Sequence, residues 1–152
     1  MTVYAFSIEN FKRPQDEVDT LLMLAREKFA RLMDEKEKIH QRGVKIRVIG
    51  NMKLLPKDLQ KSIAEAMLMT KDNDKSILNV AFAYTSREEV TNSIATIVKG
   101  IEDNELEPED LHHSLIDECL YTNKCNDVDL LVRTSGEKRF SDFLLWQVRL
   151  NQ

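Results

Sequence analysis

The chain has 152 residues, 42% of them hydrophobic and 32% charged, which is the make-up of a folded domain with a real core and excludes a disordered segment. Its net charge of −4 gives no whole-molecule attraction to nucleic acid, so any anion must be held by a local basic cluster. No apolar run approaches the ~18–20 residues of a membrane span, and no basic-plus-apolar leader opens the chain; Cys119 and Cys125 match no common zinc or redox spacing and read as two reduced thiols.

The elements alternate strand and helix. "TVYAFS" (Thr2–Ser7) is apolar, aromatic and β-branched, and predicts a strand buried on both faces. Gln15 to Arg42 predicts one long helix with a stripe of Val18, Leu22, Ala25, Phe29, Leu32 and Met33, widened by Leu21 and Leu24. Gly43 stops it, and its "DEKEK" run is a solvated face. "VKIRVIG" (Val44–Gly50) is a strand with Val44, Ile46 and Val48 on one face. Pro56 opens a second helix running to about Thr70. "SILNVAFAY" (Ser76–Tyr84) is a third strand. Thr85 with Glu88, or Ser86 with Glu89, caps a helix over about Arg87 to Ile101. Pro108 starts a fourth helix carrying Leu111, Leu115, Ile116 and Cys119, and "VDLLV" (Val128–Val132) is a fourth strand. Buried strands alternating with helices predict an α/β fold, a mostly parallel sheet flanked by helices. Both ends look cut: the chain enters an apolar strand directly after Met1 and stops soon after Phe143–Trp146, as in a fragment, an isoform or a partial gene.

In parallel sheets, ligands sit beyond the carboxyl ends of the strands. Two post-strand segments stand out, "SIENFKRP" and "RTSGEKRFS". Arginine suits a diphosphate because its planar guanidinium is always charged and donates in pairs. Arg133 and Arg139 flank a turn containing Gly136, with Ser141 two residues on, and Arg13 ends the first loop. If the two strands are close, three arginines converge on one anion. The competing reading is a solvated turn, since Ser, Thr, Gly and Lys favour turns anyway. Neighbouring His112 and His113 point apart on a helix and would not share a metal. His40 meets a helix C-terminus, and no Walker loop, GxGxxG or HExxH occurs.

The segments "YAFSIENFKRP", "LNVAFAYTSREEV" and "DLLVRTSGEKRFSDFLLWQ" resemble three signatures of the cis-prenyltransferases (undecaprenyl diphosphate synthase-like), in wording nearest the animal members that serve dolichol synthesis. "CLYTNKCNDVDLLVRTSGE" and "LLPKDLQKSIAEAM" fit as well, so the likeness runs over essentially the whole chain. The resemblance implies an enzyme that adds isopentenyl diphosphate to an allylic diphosphate such as farnesyl diphosphate. Each addition makes a cis double bond and releases diphosphate, with magnesium assisting. It implies a long polyprenyl diphosphate product, a non-catalytic Nogo-B receptor-like partner, and peripheral work at the cytosolic face of the endoplasmic reticulum membrane. By position, Arg133, Arg139 and Ser141 resemble the residues that hold the diphosphate of isopentenyl diphosphate, and Arg13 the arginine closing the first motif. Ser7 and Asn10 match polar positions near the reacting groups, Asn10 as a helper in positioning or proton removal. Phe11 matches an aromatic position near the allylic chain. Glu9 is read as structural, and Glu137 as a neighbour of the diphosphate loop.

The family's Asp-Gly-Asn segment, which supplies its magnesium-site aspartate and the allylic-diphosphate contacts, has no counterpart, since no Asp-Gly pair occurs. The family's last strand and tail are not matched either. Residues 1–152 are therefore expected to be a partial cis-prenyltransferase domain with weak or no turnover of its own, its principal magnesium ligand elsewhere. Two other readings stay open: a non-catalytic subunit or inactive isoform of the same complex, and a generic phosphate-binding α/β module. The second would need a glycine-rich strand–helix turn, which is not visible.

Overall fold

The structure, a computed structural model, describes residues 1–123, 125 and 128–148. The chain divides into two compact units, Met1–Tyr84 and Thr85–Gln152.

The first unit holds strands β1 (Thr2–Ser7), β2 (Val44–Ile49) and β3 (Ser76–Tyr84) and helices α1 (Gln15–Asp34), α2 (Lys36–Arg42) and α3 (Lys57–Met69), with 3-10 turns at Ile8–Lys12 and Met52–Leu54. The strands form a parallel sheet in the order β1-β3-β2. Parallel neighbours need a crossover, and the helices supply it. The apolar stripe of α1 works as its periodicity requires: Val18, Leu22, Ala25 and Phe29 are buried with Leu59, Ile63 and Ala66 of α3 and with Phe6, Ile46 and Phe82 of the sheet. Phe82 stacks on Phe6 at 5.2 Å and meets Phe29 edge-on at 6.4 Å.

Three expectations for this unit need correction. β1 is not buried on both faces; only Phe6 is buried, because β1 is an edge strand with β3 as its one partner among the described residues. The helix from Gln15 does not run unbroken to Arg42. It ends at Glu35 (φ −92°, ψ 17°), and α2 restarts to finish at Gly43 in the left-handed region (φ 62°). The stripe is also narrower than its apolar count, since Met33 and Leu24 are exposed.

The carboxyl ends of the strands are tightly drawn together. Gly50 follows β2 at φ +128°, and a Cβ there would lie 2.2 Å from the Phe82 carbonyl oxygen. Only glycine permits that approach, and the next amide, of Asn51, donates to the Ala83 carbonyl at 2.9 Å. Ala83 itself is fully buried at φ 49°. On the other side the β1–β3 register shifts between Tyr4, Phe6 and Ser7, as at a bulge. Ser7 thus ends opposite Tyr84, and the Tyr4 hydroxyl donates to the Tyr84 carbonyl at 2.9 Å.

The second unit holds α4 (Ser86–Glu102), a 3-10 turn at Pro108–Asp110 and α5 (His113–Cys119). The helix expected from Pro108 is therefore two pieces, and α5 begins only after His112, whose Nδ1 accepts from the Leu115 amide at 3.0 Å as its cap. Thr85 caps α4, its hydroxyl accepting from the Glu88 amide. Ser93 ties α4 to α5 by donating to the Ile116 carbonyl at 3.0 Å. The expected fourth strand is absent: among the described residues Val128–Val132 makes no ladder, and Leu130 and Val132 are 78% and 70% exposed. An apolar β-branched run becomes a strand only where a neighbour supplies hydrogen bonds and cover. Among the described residues no helix is long and apolar enough to cross a membrane.

Candidate functional site

In the first unit the candidate residues sit on the 3-10 turn that leaves β1. Ser7 is its N-cap: the hydroxyl accepts from the Glu9 amide at 3.1 Å, and the Ser7 amide donates to Asn10 Oδ1 at 2.7 Å. This reciprocal box fixes the turn at the sheet's carboxyl edge. Because Asn10 Oδ1 is engaged, its carboxamide NH2 is the group it can offer a substrate as a donor. Phe11 is half-buried against Phe6, ring centroids 4.9 Å apart. Arg13 is exposed and faces Glu17 at 3.4 Å. Glu9 pairs with Lys12 at 2.6 Å.

The second unit carries the other candidates on a loop. Ser135 and Gly136 turn the chain with φ of 66° and 67°, the successive left-handed residues of a tight reversal. Arg133 folds back across that turn: its Nη1 donates to Ser141 Oγ at 2.7 Å and to the Arg139 carbonyl oxygen. Arg139 pairs with Glu137 at 2.7 Å. Arg133, Arg139 and Ser141 are thus gathered on one exposed loop, a cluster of guanidinium and hydroxyl donors of the kind that binds phosphate oxygens. Arg13 belongs to the first unit and this cluster to the second.

The segment from Asp142 to Gln147 is anchored. The Asp142 carbonyl accepts from the Ser86 amide at 2.7 Å, its Oδ1 from the Arg87 amide at 3.2 Å, and its Oδ2 from Arg87 Nε at 3.1 Å. Trp146 receives support from both helices: its amide donates to Ser86 Oγ at 3.3 Å and its indole to Asp117 Oδ1 at 2.6 Å, while His113 stacks on its ring at 5.2 Å. Glu89 is fully buried. Its Oε1 accepts from the Thr122 amide and hydroxyl at 3.0 and 3.1 Å, and its Oε2 from Gln147 Nε2 at 2.9 Å. A buried carboxylate persists only when its oxygens are so supplied. Burial first, then the Glu88 carboxylate, pushes the Tyr121 phenol upward. Its hydroxyl donates to Glu88 at 3.1 Å.

The sequence marks Ser86 and Glu89 only as one of two possible capping boxes, and it marks neither Asp142 nor Arg87 as part of a site. Asp142 is next to Ser141, but its partners lie 55 residues away in sequence, and a helix cap supplied from that distance leaves no local pattern. The magnesium that the resemblance implies has no fitting cluster: among the described residues no group of three or more His, Cys, Asp or Glu could hold a metal ion.

The family profile described as "Putative undecaprenyl diphosphate synthase" matches residues 1–152. A human protein, the dehydrodolichyl diphosphate synthase complex subunit, is 58% identical over 147 residues, covering 97% of this chain and 44% of the relative. A tritrans,polycis-undecaprenyl-diphosphate synthase (geranylgeranyl-diphosphate specific) of Methanocaldococcus jannaschii is 44% identical over 149 residues, 97% of this chain and 53% of the relative. Among solved structures, the lavandulyl diphosphate synthase of Lavandula x intermedia, in complex with dimethylallyl diphosphate, superposes with a TM-score of 0.88 at 32% identity, covering 96% of this chain and 62% of that one. A probable undecaprenyl diphosphate synthase of Campylobacter jejuni gives a TM-score of 0.82 at 31% identity, with 96% and 64% covered. The chain thus spans about half the length of the curated relatives it matches. With the profile matched from the first residue to the last, the chain belongs to the undecaprenyl diphosphate synthase-like family of cis-prenyltransferases.

Proposed function

We propose that this chain carries the isopentenyl diphosphate-binding part of a cis-prenyltransferase, and that residues 1–152 belong to one such domain. The reaction joins isopentenyl diphosphate to an allylic diphosphate. A carbon–carbon bond forms at the allylic carbon, the allylic carbon–oxygen bond breaks to release diphosphate, and a proton leaves the isopentenyl unit to give a cis double bond. Repetition yields a long polyprenyl diphosphate, the precursor of dolichol for glycosylation. The single observation that carries the reading is the loop in which Arg133 bridges Ser141 and the Arg139 backbone.

Arg133, Arg139 and Ser141 act as the handle for the diphosphate of isopentenyl diphosphate. A diphosphate presents many acceptor oxygens and two to three negative charges. Guanidiniums meet them with paired donors, and a fixed handle places the distant double bond for attack. Arg13 contributes a further diphosphate contact, Ser7 and Asn10 orient the reacting groups through their donors, and Phe11 offers an apolar face to the allylic chain. Magnesium, when bound, would supply charge neutralisation for a departing diphosphate; its principal ligand is expected outside the described residues, none of which form a fitting group.

The human relative is named as a complex subunit. This supports a working form with a second subunit; that the subunit is Nogo-B receptor-like, and the complex peripheral to the cytosolic face of the endoplasmic reticulum membrane, is what the family resemblance implies. The test is incorporation of radiolabelled isopentenyl diphosphate onto farnesyl diphosphate by the protein expressed from its native transcript, with and without that subunit. Long labelled prenyl chains, abolished by Arg133→Ala, are expected. Labelled chains that persist undiminished in Arg133→Ala would refute the assignment of the handle.

A further inference from the structure

We propose that Asp142 is a positioning residue that sets the geometry of the diphosphate handle, and that it does so by capping helix α4 from outside the helix. The inference rests on the reading of Arg133, Arg139 and Ser141 as that handle. The first amides of a helix have no partner within it. In α4 the Glu88 amide is taken by Thr85 Oγ1, but the Ser86 and Arg87 amides are taken by Asp142, the first through its carbonyl and the second through its carboxylate. A carboxylate is also favoured at a helix N-terminus by the aligned peptide dipoles. The Asp142 side chain is only 14% exposed, whereas Arg87, its side-chain partner, is 83% exposed. The bonds to backbone amides, and not the surface ion pair, therefore fix its place.

The consequence falls on Ser141. Ser141 and Asp142 are consecutive non-glycine residues at φ 52° and 56°, a strained backbone that persists only where its surroundings impose it. The cap imposes it. Ser141 is one peptide unit from a point tied to a 17-residue helix, and its hydroxyl accepts from Arg133 Nη1. The order of control runs from α4 to Asp142, to Ser141, to the Arg133 guanidinium. A binding loop gains its precision in this way, from a rigid element beneath it.

The test is the dissociation constant for isopentenyl diphosphate, measured calorimetrically on the protein from its native transcript, beside the unfolding midpoint of each variant. Arg133→Ala and Ser141→Ala report on the handle. Asp142→Ala is expected to weaken binding about tenfold or more while the midpoint moves by a few degrees at most. Asp142→Asn keeps an acceptor and tolerates the left-handed backbone, and should recover binding to within about threefold of wild type. Arg87→Ala removes only the exposed pair and should stay within about twofold. If Asp142→Ala does not fold, Asp142→Glu decides: it keeps the charge but lengthens the anchor, and weaker binding is expected. Wild-type affinity in Asp142→Ala, or in Asp142→Glu when that variant is the one read, would overturn the inference if the handle variants are impaired. So would an Arg87→Ala loss equal to that of Asp142→Ala. Handle variants with unchanged affinity would instead overturn the reading of the handle, and this inference with it.

Discussion

Arg133 already lies across its turn, with one guanidinium nitrogen shared between Ser141 and the Arg139 backbone. That arrangement uses a planar fork whose remaining N–H groups can still meet a phosphate. Lysine's three donors radiate from one nitrogen and cannot span the loop acceptors and still meet a phosphate with a paired fork. Arg133→Lys is therefore expected to weaken isopentenyl diphosphate binding at least tenfold despite keeping the charge, as measured by titration calorimetry. Gly136 tests the turn itself. Nothing lies within 4 Å of a Cβ built there, so the penalty of Gly136→Ala comes from φ +67° alone. It should be about 1–2 kcal/mol, read from denaturant unfolding. The sequence displays Arg133, Gly136, Arg139 and Ser141 in order, and this order is what made the loop legible. It does not display the part of Asp142, because the Arg87 amide that its carboxylate caps lies 55 residues earlier in the chain.

At the scale of elements, local chemistry predicted what local chemistry controls. β3 begins and ends where the apolar run does, Thr85 caps α4, and Pro56 and Thr70 bracket α3. The failures have non-local causes. The break at Glu35 falls in a run of good helix formers with no glycine or proline to announce it. Val128–Val132 has the composition of a strand but no ladder partner among the described residues. β1 has buried-strand composition but an edge position. In the second unit, Glu89 of α4 is fully buried and ties that helix to Thr122 and Gln147. Glu89→Ala would leave the buried Thr122 amide without its acceptor, while Gln147 Nε2 would keep Thr122 Oγ1 at 2.7 Å, and should cost about 1–3 kcal/mol. The expected outcome is a lower midpoint in thermal unfolding followed by circular dichroism, with Ser93→Ala, which removes one hydrogen bond to Ile116, costing less.

For the whole molecule, an α/β fold with a parallel sheet was legible from the alternation of strands and helices, and the family from polar residues matched in order. The strand order β1-β3-β2 was not, because lateral pairing is written in no single segment. Nor was the left-handed Ala83 beside Gly50, where two strands approach closely at the edge that faces ligands in such sheets. The central claim is that the loop from Arg133 to Ser141 grips the diphosphate of isopentenyl diphosphate. Its most direct measurement is a crystal structure of the protein with isopentenyl diphosphate bound. Phosphate oxygens are expected within hydrogen-bonding distance of the Arg133 and Arg139 guanidiniums and of Ser141 Oγ. A diphosphate held elsewhere, with both guanidiniums in bulk solvent, would contradict it.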